Sequence, residues 1–399
     1  MIWNGRQDAP PGDHAGPELP RGEAAQLADA IFTVFRNDVT QLQGGLGIPV
    51  FFYSQPRDNG WDVPRDLRLD AANRNVVVVL VDEALIDAVD EGTGWAGYLD
   101  GVRAQQREPQ ELVAVALSEE AIDFCNKHGL RNAIRWHFWA GQGEQERIDR
   151  LAVHLLPVLF DFVRKELGEQ PDPQARKKIS LFLSHAKGDG RSSALAFRGV
   201  IQTIPALGDF FDEVDILPGE EFEPVLEREV ERAAIVVVHT TVYASRDWCC
   251  WEVVAGKRFN VPMVAANCVE DREERSFPYL GNIPSIRVDA PTGPKVLEVV
   301  RRLLEEVLRQ LLWRCAVRQY RALEPAALAN AVDTWRPPEL VWLMLSEDVN
   351  AKMASVTRPG EVEITVLYPD PPLGRNEQTI IDRYKPQVRL LTPTALMAT

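Results

Sequence analysis

Short apolar runs rich in β-branched residues recur along this chain, separated by stretches where apolar residues return every third or fourth position. Such runs read as strands buried on both faces, and the stretches between them as helices packed on a sheet. Strands are predicted at 48–54 (I-P-V-F-F-Y-S), 75–82 (N-V-V-V-V-L-V-D) and 111–118 (E-L-V-A-V-A-L-S). A second series opens at 179–189 (I-S-L-F-L-S-H-A-K-G-D) and continues in 209–222, at 235–238, 260–267 and 285–288. A third lies at 339–346 (E-L-V-W-L-M-L-S), 362–368 and 388–393. Helices are predicted over 23–38, 144–167, 294–323 and 374–384, and after Gly219, where Phe222, Val225, Leu226, Val230 and Ala233 form one stripe. Strands alternating with helices imply an α/β fold with a parallel sheet flanked by helices. The stripe from Val296 to Leu312 is too wide for a surface helix, so 294–323 should pack between domains.

Breaks in the pattern divide the chain. Residues 1–22, rich in Pro, Gly and acids, read as a loose lead-in. An α/β block at 23–167 is followed by a linker at 168–178 (G-E-Q-P-D-P-Q-A-R-K-K), a second block at 179–323, and a small α/β lobe at 324–399. The two blocks look like a repeat. F-F-Y-S-Q-P-R-D aligns with L-F-L-S-H-A-K-G-D, N-V-V-V-V-L-V-D with A-I-V-V-V-H-T-T, and W-A-G-Y-L-D with W-C-C-W-E-V. In that alignment Leu99 stands where the second block has Glu252, and the first block lacks a helix between its first two strands.

Composition narrows the functions. Lys and Arg number 44 against 59 Asp and Glu, a net charge of −15. That argues against a phosphate-backbone or anionic-membrane binder. Five cysteines without CxxC pairs or a Cys/His metal spacing point to a reduced, cytoplasmic chain with no structural metal. Neither signal-peptide regions nor a membrane-spanning apolar run is present. A GxGxxG and a Walker A are also lacking, which excludes the motif-based dehydrogenase and kinase readings.

The stretch with the most chemistry runs from Ala233 to Lys257. Ser245 and Asp247 offer N-cap chemistry for a helix carrying Trp248, Trp251 and Glu252. Trp248 and Glu252 are four apart, so indole and carboxylate share a helix face. A carboxylate after a buried strand lies where open α/β sheets bind ligands. Against this stand blander readings: an exposed helix acid, a core Trp251, small buried Cys249 and Cys250, and a structural His239.

Three separated pieces of the second block, over roughly 177–288, resemble a Toll/interleukin-1 receptor (TIR) domain of the bacterial, NAD-cleaving type. They are F-L-S-H-A with Asp189 after it, F-F-D-E-V-D-I-L-P-G-E-E-F with its helix, and Y-A-S-R-D-W-C-C-W-E. The resemblance implies a flavodoxin-like domain preceded by a degenerate TIR-like copy. It implies an NAD⁺ nucleosidase in which Glu252 is catalytic and NAD⁺ is the substrate, no other cofactor being needed. Ser184, His185, Lys187 and Trp248 match positions lining the family's nucleotide pocket, and Asp215, Leu217, Pro218 and Gly219 belong to the loop that gates it or pairs domains. An antiviral effector switched on by TIR–TIR self-association, with an activating signal or partner protein, is the role so implied, with a linear or a cyclic product. A non-enzymatic TIR scaffold and a deoxyribosyltransferase-like nucleoside hydrolase remain the alternatives.

Overall fold

The computed structural model describes residues 1, 2, 4, 22–36, 46–55, 62–105, 110–130, 132–169, 179–204, 207–210, 230, 233–273, 277–355 and 364–398. The chain divides into two compact units, Met1–Leu155 and Leu156–Thr399. Both are α/β, with parallel sheets flanked by helices.

In the first unit, β1 (Asn75–Val81), β2 (Gln110–Ala116) and β3 (Ile134–Arg135) pair in that order, all parallel. Two short segments extend the sheet beyond β1. Ile2 forms parallel bridges to both Val79 and Tyr53. Its N–H donates to Val78 O at 2.9 Å, Leu80 N–H donates to Ile2 O at 2.9 Å, and Tyr53 N–H donates to Met1 O at 2.8 Å. The helix Glu23–Phe35 lies between these segments in sequence, with Leu27, Ala28, Ile31 and Phe35 buried. Numbered along the chain, the strand positions therefore run 2-1-3-4-5, the flavodoxin-like order.

Three expectations are corrected here. Most of 1–22, read as a loose lead-in, lies outside the described residues, but its Ile2 is wholly buried inside the sheet. Residues 48–54 form no regular strand. Only Tyr53 pairs, Pro49 has no N–H to give a ladder, and Phe51 and Phe52 are exposed on an outer position. Of the repeat alignment the first piece slips by one strand, because F-F-Y-S holds the second position and the residues around Ile2 hold the first, while β1 and β6 both hold the third. Between Tyr53 and β1 the described residues hold only the 3₁₀ turn Leu69–Ala71, and the helix Glu23–Phe35 lies between the first and second positions. Leu99, on the helix Trp95–Ala104, is buried in an apolar cluster with Leu85, Val102 and Phe124.

The second unit contains a five-stranded parallel sheet, ordered β5-β4-β6-β7-β8. These are β4 (Ile179–His185), β5 (Leu207–Phe210), β6 (Ala234–His239), β7 (Met263–Asn267) and β8 (Ser285–Arg287). This is again 2-1-3-4-5. All six residues of β6 are buried, as a central parallel strand requires. The helix Gly293–Leu323 covers the sheet with Val296, Val299, Val300, Leu303 and Leu304, and its later Trp313 and Val317 join a cluster with Leu328, Trp335, Leu367 and Leu391. One wide stripe thus serves both the sheet and the C-terminal lobe. That lobe is a parallel sheet ordered β11 (Val388–Leu391), β10 (Ile364–Leu367), β9 (Val332–Asp333). The strand expected at 339–346 is instead the helix Leu340–Leu345, burying Trp342 and Leu343. Leu and Met outnumber its single β-branched residue, so helix propensity prevails over the apolar run.

The helix Asp247–Arg258 crosses the sheet at Gly256. A Cβ there would stand 2.7 Å from Ile235 Cδ1 and 2.7 Å from Met263 Sδ, both on wholly buried strand residues. Gly256→Ala is therefore expected to cost about 1–3 kcal/mol by overpacking. Urea unfolding midpoints read this, and a midpoint unchanged from wild type would show that the strands yield freely.

Candidate functional site

The carboxyl ends of β4 and β6 lie side by side, Ser184 opposite Val237 and His185 opposite Val238 in register. They are strand positions 1 and 3 of a 2-1-3-4-5 sheet, the switch point beside which such sheets bind ligands. Beyond β6 the chain makes a 3₁₀ turn, Tyr243–Ser245, and enters the helix Asp247–Arg258. Neither predicted capping residue caps it. Arg246 holds the N-cap position without a side-chain bond, Asp247 is already in the first turn, and the Ser245 hydroxyl donates to Val242 O at 2.7 Å. An acid in the first turn still favours the helix dipole.

Glu252 sits on the buried face of this helix, 6% exposed. The Ser184 hydroxyl donates to Glu252 Oε2. Ser184 Oγ is also 2.5 Å from the Tyr243 hydroxyl, which in turn lies 3.2 Å from Cys249 O. Ser184 and Tyr243 are both wholly buried. Burial, then the neighbouring Glu252 charge, pushes the Tyr243 phenol well above its usual range, so it keeps its proton. The Glu252 carboxyl is thus withdrawn from bulk water and hydrogen-bonded.

Of the other residues singled out, Trp248 is half exposed, one turn before Glu252, with its ring edge-on to Trp251 at 6.0 Å. His185 is buried, its Nδ1 3.1 Å from Leu183 O. Lys187 is exposed in the turn after β4. Asp215, Leu217, Pro218 and Gly219 lie outside the described residues, as does most of the stripe after Gly219, of which Val230 and Ala233 are buried. The structure thus brings Ser184 and Glu252 into direct contact. It turns the Ser184 hydroxyl inward, onto the carboxylate.

Two residues at this end of the sheet were not singled out for the site. Asp189 Oδ1 accepts from Thr240 Oγ1 at 2.6 Å and Oδ2 from Val242 N–H at 3.2 Å, joining the loop after β4 to the loop after β6. Tyr243 is the other. Its signal was a polar aromatic between an apolar strand and an amphipathic helix, readable only once both elements are placed. Cys249 is buried and Cys250 half-buried. Cys250 is pushed up by burial and by Asp247, and donates to Ala244 O at 3.5 Å, which suits a packing role. Among the described residues no group of three or more His, Cys, Asp or Glu is placed to hold a metal ion, and no helix is long and apolar enough to cross a membrane.

His239, the last residue of β6, is buried with its Nε2 2.6 Å from Glu273 Oε1 and its ring edge-on to Tyr243 at 5.6 Å. Burial lowers its pKa from the ordinary 6.5, against the opposing pull of Glu273. The unfolded chain then binds this proton at a higher pH than the folded one. Stability from this group is full above the ordinary imidazole range and declines as pH falls through it. Melting temperatures at about pH 7 and about pH 5.5 should differ more in wild type than in His239→Gln. Equal differences would exclude His239 as the titrating group.

No protein-family profile matches the chain, and no curated protein matches it. Among solved structures it is similar to the TIR domains of the activated Roq1 resistosome directly recognizing the pathogen effector XopQ. The identity is 16% and the TM-score 0.21, with 37% of this chain and 99% of that chain covered. So low a score carries no weight here, and the site stands on its own residues.

Proposed function

We propose that the second unit cleaves the nicotinamide–ribose bond of NAD⁺, with Glu252 as the working carboxylate. The supporting observation is the buried Glu252, hydrogen-bonded by Ser184 at the junction of β4 and β6, one helical turn beyond the half-exposed Trp248. In NAD⁺ the nicotinamide is already cationic. The C–N bond breaks with its electron pair going to the ring nitrogen, and nicotinamide departs neutral without a general acid. Water adds to the anomeric carbon and releases a proton, giving nicotinamide and ADP-ribose. The transition state has oxocarbenium character, which one carboxylate can stabilise where ordinary glycosidases use two. The indole of Trp248 offers a face for a planar or cationic ring.

The sequence resemblance supplies the setting: an antiviral effector that depletes NAD⁺ and is switched on by association between copies. NAD⁺ consumption and nicotinamide release by the full chain, at dilute and at self-associating concentrations, test the proposal. Turnover lost in Glu252→Gln supports it. Equal turnover in both moves catalysis elsewhere, turnover of free nucleosides but not NAD⁺ favours a nucleoside hydrolase, and none at any concentration favours a scaffold.

A further inference from the structure

A serine hydroxyl carries one proton, and Ser184 gives its proton to Glu252 Oε2. The 2.5 Å contact between Ser184 Oγ and the Tyr243 hydroxyl must then be donated by the phenol. The phenol's other acceptor, Cys249 O, is further away at 3.2 Å. The result is an ordered chain in which Tyr243 donates to Ser184 and Ser184 donates to Glu252. Each link polarises the next, and each lies out of water, where such bonds are strongest. The tyrosine ring is fixed from behind, edge-on to His239 and to Phe277 at 6.2 Å.

We propose that Tyr243 is a positioning residue for Glu252, acting through the Ser184 hydroxyl to orient the carboxylate and hold it ionised. The role for NAD⁺ cleavage rests on the function proposed above; the hydrogen-bond chain itself does not. Tyr243 is wholly buried, so it works at second hand. The titratable groups around it are Glu252 with Cys249 and Cys250 on the same helix, and His239, which pairs with Glu273. Lys257 and Glu339 pair with each other further along the same helix.

The test is a cycle of Tyr243→Phe, Ser184→Ala and the double variant in the full chain. Labelling glutamate with ¹³C at the carboxyl reads the Glu252 titration directly by NMR, with Glu252→Gln assigning the signal and no substrate present. Tyr243→Phe is expected to move the titration to higher pH, Ser184→Ala to move it further, and the double variant to coincide with Ser184→Ala, because the phenol then has no route to the carboxylate. NAD⁺ cleavage should fall about tenfold in kcat in Tyr243→Phe with KM unchanged, as for one lost hydrogen bond between neutral groups. A Tyr243→Phe titration identical to wild type overturns the proposal, and so do shifts that simply add in the double variant. If Ser184→Ala does not fold, Ser184→Cys keeps the volume with a weak thiol donor and is read in the same way. A wild-type chain that never cleaves NAD⁺ removes the activity reading alone, and the titrations still decide the chain.

Discussion

Glu252→Gln should lower NAD⁺ turnover by about 10³-fold, the scale of losing a preorganised group aimed at developing charge. The substitution is nearly isosteric, and the amide oxygen can still accept the Ser184 hydroxyl that now meets Oε2. Folding should survive. A melting temperature equal to or above wild type is expected, because a carboxyl only 6% exposed costs more to bury than the neutral amide wherever it carries charge. Glu252→Asp separates charge from position. It keeps the anion but draws it about 1 Å from Ser184, a misplacement able to cost about 10²-fold. Turnover near wild type in the Asp variant would mean that charge in the pocket suffices, and that the hydrogen-bond chain does not set the rate. Nicotinamide release under single-turnover conditions, beside a thermal melt, reads both quantities.

The second large effect concerns the far end of the same helix. Lys257 is 2% exposed, and its ammonium donates to Glu339 Oε1 and Oε2 at 2.7 and 2.8 Å and to Gly281 O at 2.8 Å. Burial lowers its pKa, and the Glu339 carboxylate opposes this. The two partners are not equally buried, since the Glu339 side chain is 26% exposed. Glu339→Leu strands a buried ammonium with one carbonyl and should cost about 3–5 kcal/mol. Lys257→Met leaves a carboxylate that water can reach, and should cost only about 1–2 kcal/mol. The double variant should recover most of the larger loss, since apolar replacements of a buried pair are often neutral. Equal costs for the two single variants, read from denaturant unfolding, would contradict this asymmetry.

Much of the site-bearing unit was legible before its structure. β-branched runs such as 235–238 became buried parallel strands because they have no polar face to solvate. The wide stripe from Val296 onward became a helix shared by two neighbours. Periodicity failed where non-local pairing decides. Ile2 lies in M-I-W, too short to read as a run, yet its backbone bridges both Tyr53 and Val79, far away in sequence. The run at 339–346 was apolar enough for a strand, but short apolar runs do not distinguish strand from helix. Within the site, Glu252 and Ser184 were visible through their surroundings in sequence. Tyr243 was not, because its role depends on a hydroxyl 59 positions earlier on another strand.

The all-parallel pairing of these sheets bears on how the chain reaches its fold. All eight named strand pairings among the described residues are parallel. Each must therefore be closed by a crossover, and none can start from a hairpin. Ile2 is the extreme case, since its partners Tyr53 and Val79 lie 51 and 77 positions away (53 − 2 and 79 − 2). Such distant closures pay chain entropy before any contact repays it, which slows folding and lengthens the exposure of apolar strands. The run N-V-V-V-V-L-V of β1 must wait unpaired on one side until the residues around Ile2 return to it, so in refolding this stretch is where the first unit is most open to aggregation.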